Sequence, residues 1–262
     1  MNVIEPLFER AFLFDSYACR KGKGTHRAVD RFTYHARRFS YVLKGDIVRY
    51  FPSIDHGNLM ERIERRISCG STLDLIQKIV SSMRCGEVKY FPGDNLFTPH
   101  LRPHGLPIGN LTSQFFGNVY LDGFDHFIKE KLRAPGYIRY VDDFVIFDDH
   151  KGRLWEILAP AREYLMSLRL YLHERKGRVY RVTEGIDFLG YRVWPSHRRL
   201  RRSNVVYFRR RLQRLKAVYA RGDIPLLDVR SRLQSWIAHA SHADTYRLRA
   251  AIFRDTVFVK TG

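Results

Sequence analysis

The chain has 262 residues, 45% of them hydrophobic, with 18 Phe, 15 Tyr and 3 Trp, enough apolar material for one large domain or two small ones. Its 46 Lys and Arg against 27 Asp and Glu leave a formal charge of +19, an excess that opposes compaction and has its natural explanation in an anionic partner. No apolar run is long enough for a membrane span, Glu5 and Glu9 stand where a signal peptide would carry its positive flank and apolar core, and Cys19, Cys69 and Cys85 are too widely spaced for a disulfide framework or a paired-cysteine zinc site. A cytoplasmic protein with no membrane partner and buried free thiols is the expectation.

In chain order, a helix is predicted up to Phe14, then a basic, turn-rich DSYACRKGKGTH, then a helix from Ala28 to Ser40. YVLKGDIVRYF begins as a strand, with Asp55 placed to cap a helix from His56 to Ile67. A helix over Ser71–Met83 precedes a short strand around Val88–Phe91. Residues 92–110, rich in Gly and Pro, form an ordered loop, and apolar spacing predicts a long helix from Thr112 to Leu132. YIRYVDDFVIFDD reads as a hairpin, Leu154–Leu168 as a helix containing Pro160, and Tyr171, Val179 and Phe188–Trp194 as short strands. Roughly Val205 to Val257 is a basic helical module, in which Trp236 reads as an internal anchor or, if nucleic acid binds there, a base-stacking residue.

Two basic clusters stand out, each with nine Lys or Arg: Arg20–Arg49, which also holds Asp30 and Asp46, and Arg198–Lys216, which holds no acid. Phosphate contacts want such clustering, although charge by itself also fits a ribosomal or general nucleic-acid-binding protein.

Asp142 and Asp143 are adjacent acids between aromatic and β-branched runs. Burying them unpaired would be prohibitive, so they meet solvent, a cationic side chain or a metal at a hairpin tip. Asp46, another acid in a strand-like run, is the best third carboxylate. Three such acids would suit two Mg²⁺ ions, with Mn²⁺ as a substitute, which activate a 3′-hydroxyl and stabilise departing pyrophosphate in nucleotide addition. A solvated turn is the competing account of the Asp pair.

Tyr140-Val141-Asp142-Asp143 resembles the YxDD motif of reverse transcriptases, KGDIVRYFPSID their first carboxylate motif, GLPIGNLTSQ the following template-and-nucleotide segment, and GIDFLGYRV the primer grip. The motifs keep the expected order. IGNLTSQ and SYACRKGKGTH further resemble the reverse transcriptases of diversity-generating retroelements, which are related to those of group II introns and retrons.

The resemblance implies an α+β, right-hand polymerase fold: partial fingers (1–40), a palm with an antiparallel sheet (41–195, including the YVDD hairpin at 137–147 and the primer grip at 185–193), and a basic helical thumb (196–262). Family members carry further fingers segments ahead of the counterpart of MNVIEPLFERAF, so the fingers are expected to be incomplete. It implies an RNA-directed DNA polymerase that copies template RNA into cDNA from dNTPs for mutagenic retrohoming, with a small basic accessory protein as partner. A non-catalytic RNA-binding or assembly component is the alternative.

For individual residues, the resemblance implies that Asp46, Asp142 and Asp143 hold the metals, with the Ile47 carbonyl as a further ligand. Phe51 would exclude a ribose 2′-hydroxyl or serve the palm core. Gln114 would lie near the nascent base pair, with Gly109 and Tyr140 in the substrate site; Asn110 would contact nucleotide or cap a helix. Lys176 would approach the leaving pyrophosphate or bind phosphate at the surface. Arg20, Lys21 and Lys23 would guide template or triphosphate, or form a solvated loop; Gly190 would let backbone approach the primer; Arg209, Arg210 and Arg214 would meet primer–template phosphates.

Overall fold

A computed structural model describes residues 3–260 except 88, 108, 175 and 176, and all of their side chains but that of Pro99. The chain divides into two compact units, Met1–Arg181 and Val182–Gly262. The first opens with a short helix α1 (Glu5–Glu9), then α2 (Thr25–Ala36) and strand β1 (Tyr41–Asp46). Helices α3 (Tyr50–Ser53), α4 (His56–Glu64), α5 (Gly70–Ser81), α6 (Thr98–Leu101) and α7 (Leu111–His126) follow. The hairpin strands β2 (Gly136–Tyr140) and β3 (Asp143–Asp148), helix α8 (Lys151–Ser167) and strand β4 (Arg178–Arg181) complete the unit.

Local chemistry explains several boundaries. The Asp55 carboxylate accepts from the Asn58 amide at 2.9 Å and caps α4, as the sequence suggests. The helix α7 passes into a π-helical turn over Phe127–Lys131, so the expected long helix is present with a changed winding at its end. The first helix is shorter than expected and stops at Glu9. The carbonyls beyond it turn to other donors, that of Leu13 accepting from Arg20. Of the strand expected around 88–91, residue 88 lies outside the described residues and 89–91 are not strand.

The four-stranded sheet has the order β2-β3-β1-β4, every neighbour antiparallel. Alternation along β3 sends Phe144 and Ile146 to one face and Asp143, Val145 and Phe147 to the other. The first face meets α7 and α8, where Leu43, Tyr137, Phe144 and Ile146 join Val119, Phe124 and Leu165 in the main core. Phe124 meets Phe144 edge-on, with centroids 5.2 Å apart. Gly45 is required here: a Cβ at that position would run into the Phe144 ring, which lies across β1. The far end of the second face is covered by α2, whose Phe32 and His35 pack on Phe147 at 4.9 and 5.2 Å.

The second unit has a three-stranded antiparallel sheet of β5 (Ile186–Phe188), β6 (Tyr191–Val193) and β7 (Arg198–Leu200). Helices α9 (Arg202–Ala220), α10 (Leu226–Ser241) and α11 (Tyr246–Phe253) follow. Phe208 of α9 stacks on Trp236 of α10 at 3.7 Å, with Leu212 and Ile252 in the same cluster. The architecture is therefore α+β, an antiparallel core flanked by helices and followed by C-terminal helices. Among the described residues no helix is long and apolar enough to cross a membrane. All three cysteines are free, but the expected burial is corrected: Cys19 and Cys69 are exposed and Cys85 is half-buried, because they sit in loops and at a helix cap rather than in the core.

Two outcomes follow. Gly45→Ala should cost about 1–3 kcal/mol by overpacking, measured by urea denaturation; an unchanged midpoint would contradict the packing of Phe144 over β1. Burial pushes the His35 imidazole down to about 4, with Arg31 adding to the shift. The unfolded chain takes up that proton near pH 6.5 and the fold refuses it, so this contribution is complete above roughly pH 6.5 and is lost as pH falls towards about 4. His35→Phe should therefore flatten the fall in stability across that window, and an identical slope in the variant would contradict it.

Candidate active site

The pairing of β1 with β3 sets Asp46 directly opposite Asp143, and that of β2 with β3 sets Tyr140 opposite Asp143. Only Val141 and Asp142 remain to turn the hairpin. Cross-strand partners share a face, so Asp46 and Asp143 are neighbours by register, with Asp142 one residue away at the tip. Burial pushes the Asp143 carboxyl up to about 6; Lys44 opposes the shift, while the Asp142 and Asp46 carboxylates and a hydrogen bond with Asp46 reinforce it. Burial and the neighbouring carboxylates thus make the Asp143 charge costly, a cost that a hard cation between the acids would offset. The oxygen-only donor set suits Mg²⁺ or Mn²⁺. Among the described residues, however, no group of three or more His, Cys, Asp or Glu stands arranged to hold a metal.

The turn itself is strained. Val141 has φ of 57°, a conformation that β-branched residues rarely adopt. A buried polar cluster beneath it holds the backbone there. Arg139 and Asp125, with side chains 1% and 0% exposed, form a two-pronged ion pair at 2.6 and 2.7 Å. Burial works against the Arg139 charge, but Asp125 more than offsets it and holds the guanidinium above its ordinary value. Tyr137 also donates to Asp125, at 2.6 Å. The remaining arm of Arg139 donates to the Val141 carbonyl at 3.0 Å and to Asn118 Oδ1 at 3.1 Å. Thus α7 supplies the acid and the amide that brace the hairpin tip.

The chain after the first carboxylate is also tied down. The Asp46 carbonyl accepts from the His173 amide at 2.8 Å, and Ile47 bridges Leu172. Arg49 adopts a left-handed conformation immediately before α3. Phe51, half-buried, lies beside Gly117 of α7, where a Cβ would come within 3.2 Å of its ring.

Residues 1–193 match the family model of reverse transcriptase (RNA-dependent DNA polymerase). The chain belongs to that family. Among curated proteins it is 26% identical over 244 residues to the Escherichia coli protein YkfC, covering 79% of this chain and 62% of that protein. It is also 26% identical over 132 residues to an uncharacterized 91 kDa protein in the cob intron of Schizosaccharomyces pombe, covering 50% of this chain and 15% of the relative. The chain thus spans less than two thirds of these relatives. Among solved structures, telomerase from Candida albicans, in complex with a fragment of telomeric RNA, aligns with a TM-score of 0.54 at 15% identity, covering 84% of this chain and 40% of that one. Apo telomerase from Candida tropicalis, truncated from its C-terminal domain, gives 0.56 at 14% identity, covering 76% and 44%. At these identities the likeness concerns the fold.

Within this reverse transcriptase family member, the other candidate residues are distributed as follows. Tyr140 shares a hydrogen bond of 3.0 Å with Thr25, the first residue of α2. Gly109 has φ of 97°, Asn110 is the exposed N-cap of α7 without a side-chain capping bond, and Gln114 lies in the first turn of that helix. Lys21 is exposed, while Lys23 sits over the Phe14 ring at 3.3 Å and donates to the Phe14 carbonyl. Arg20 has a side chain 5% exposed, paired with Glu9 at 2.7 Å and bonded to the Leu13 and Ser16 carbonyls, so it braces its loop. Lys176 lies outside the described residues. In the second unit, the Gly190 carbonyl accepts from the Arg201 amide and the Asn204 side chain; its φ of 89° and the nearness of Asn204 favour glycine there. Arg209, Arg210 and Arg214 are exposed on α9.

Arg139, Asp125 and Asn118 are absent from the sequence reading. The one hint available is a charged residue alternating with Ile138 and Tyr140 in an otherwise apolar strand. Arg139→Ala should cost about 3–5 kcal/mol by leaving Asp125 buried and unpaired. Thermal denaturation measures it, and a loss below about 1 kcal/mol would contradict the bracing role.

Proposed function

We propose that the chain is an RNA-directed DNA polymerase that extends a primer with dNTPs on an RNA template. The observation that supports this reading most is the register that makes Asp46 and Asp143 cross-strand neighbours, with Asp142 in the two-residue turn beside them. On this reading Asp46, Asp142 and Asp143, with the Ile47 carbonyl, would hold two Mg²⁺ ions, whose charge would offset the crowding of the carboxylates. When bound, the ions supply the charge that activates the primer 3′-hydroxyl and stabilises the departing pyrophosphate.

The protein's own residues orient the reactants. Phe51 stands five positions after Asp46, where its ring would exclude a 2′-hydroxyl and favour dNTPs. The 109–114 segment, from Gly109 to the first turn of α7, would border the nascent pair, with Gln114 nearest the nucleotide base. Lys21 would meet template or triphosphate, and Lys176 would contribute charge near the leaving group. The domain reading is partial fingers (1–40), palm (41–195) and thumb (196–262). The exposed Arg209, Arg210 and Arg214 would take primer–template phosphates, and the Gly190 turn would serve the primer grip.

IGNLTSQ and SYACRKGKGTH support placement among the reverse transcriptases of diversity-generating retroelements. Template-RNA copying for mutagenic retrohoming with a small basic accessory protein is the biological setting of that placement.

Primer extension on RNA with Mg²⁺, with and without such a partner, tests the reading. The wild-type chain should incorporate dNTPs, and Asp142→Ala/Asp143→Ala should lose at least about a hundredfold in rate. Equal extension by both proteins would sink the catalytic assignment, and salt-sensitive RNA binding without extension would favour an assembly component instead.

A further inference from the structure

Residues 15–20 form an ordered connection between β2 and α7. Ser16 bridges Arg139 in parallel, and the Tyr17 amide donates to the Arg139 carbonyl at 2.9 Å. Asn118 Nδ2 donates to the Ala18 carbonyl at 2.7 Å, while Arg20 is fastened to Glu9 and to the Leu13 and Ser16 carbonyls. Cys19 lies between these two anchors, with φ of 53°. Non-glycine residues adopt that conformation rarely, and it persists where the surroundings determine it on both sides.

The consequence is directional. Cys19 Sγ donates to Gln114 Oε1 at 3.0 Å, across 95 positions of sequence. Although Cys19 is exposed overall, partial shielding of its thiol from water raises the pKa, so the thiol keeps its proton and remains a donor at neutral pH. Engaging Oε1 leaves Nε2 as the donating end of the carboxamide. Asn118, which holds the Ala18 carbonyl, also accepts from Arg139, and Arg139 in turn holds the Val141 carbonyl of the carboxylate turn. The thiol–amide contact is therefore built on the same scaffold as the acids.

We propose that Cys19 is a positioning residue for the nucleotide being added: its thiol orients Gln114 so that Nε2 is presented to an acceptor on the nucleotide's sugar or base. This rests on the polymerase reading of the site. Cys19 thereby sets dNTP affinity and base selectivity without itself touching the reacting atoms. Serine, a hydroxyl donor of similar shape, retains the function, whereas alanine removes it.

The test measures dNTP binding to the full chain on template RNA with a 3′-dideoxy-terminated primer and Mg²⁺, so that no bond forms. Right and wrong insertion are then compared on an extendable primer. Cys19→Ala should weaken dNTP binding by about three- to tenfold and change the ratio of wrong to right insertion, whereas Cys19→Ser should stay within about twofold of wild type. In a Gln114→Ala background, Cys19→Ala should add nothing. Wild-type binding and selectivity in Cys19→Ala, or a full additional effect in the Gln114→Ala background, would overturn the inference. A wild-type complex that neither binds dNTP nor extends primer would overturn the polymerase reading and this inference together. Normal wild-type extension without a Cys19 effect would overturn the inference alone.

Discussion

Antiparallel pairing between β1 and β3 is the constraint on which the site depends. A slip of one residue would turn Asp46 to the face that Leu43, Phe144 and Ile146 fill, and would set it against a different residue of β3. The packing guards against that slip. Phe144 lies over Gly45, where no other residue leaves room for its ring, and Phe147 is clasped by Phe32 and His35 on the opposite face. Hydrophobic packing on both faces thus fixes the register that sets Asp46 opposite Asp143.

The pairing brings like charges together, and the structure answers with polar groups kept out of water. The Arg139–Asp125 pair is wholly buried, an arrangement that seldom adds much net stability. Its value lies in geometry. One guanidinium joins β2, α7 and the Val141 carbonyl, and so keeps a β-branched residue in the left-handed turn that presents Asp142. Burial and the neighbouring carboxylates raise the Asp143 pKa, a cost of holding these charges together that a bound cation would relieve.

Much of this was legible from residue order. Alternation of apolar residues around Asp142-Asp143 marks a hairpin, and an acid in the strand-like KGDIVRYF marks a partner in the same sheet only because both segments carry a charge without a local reason. The helical spacing after Leu111 and the capping role of Asp55 follow from local rules. What stayed hidden depends on distant partners. Nothing within CRKGKGTH separates the inward Arg20 from the exposed Lys21, because Glu9 and the Leu13 and Ser16 carbonyls decide it. The role of Arg139 likewise requires Asp125, fourteen residues earlier on another element, and the Cys19 thiol gains its direction from Asn118 and Gln114.

The central claim is that Asp46, Asp142 and Asp143 form one divalent-cation site. Anomalous scattering from Mn²⁺ in crystals of the chain with a template–primer and a non-reacting dNTP measures it directly. The account predicts a manganese peak within coordination distance of Asp46 and of at least one acid of the turn. Peaks confined to other parts of the molecule, with Asp46 and the turn carboxylates left without metal, would contradict it.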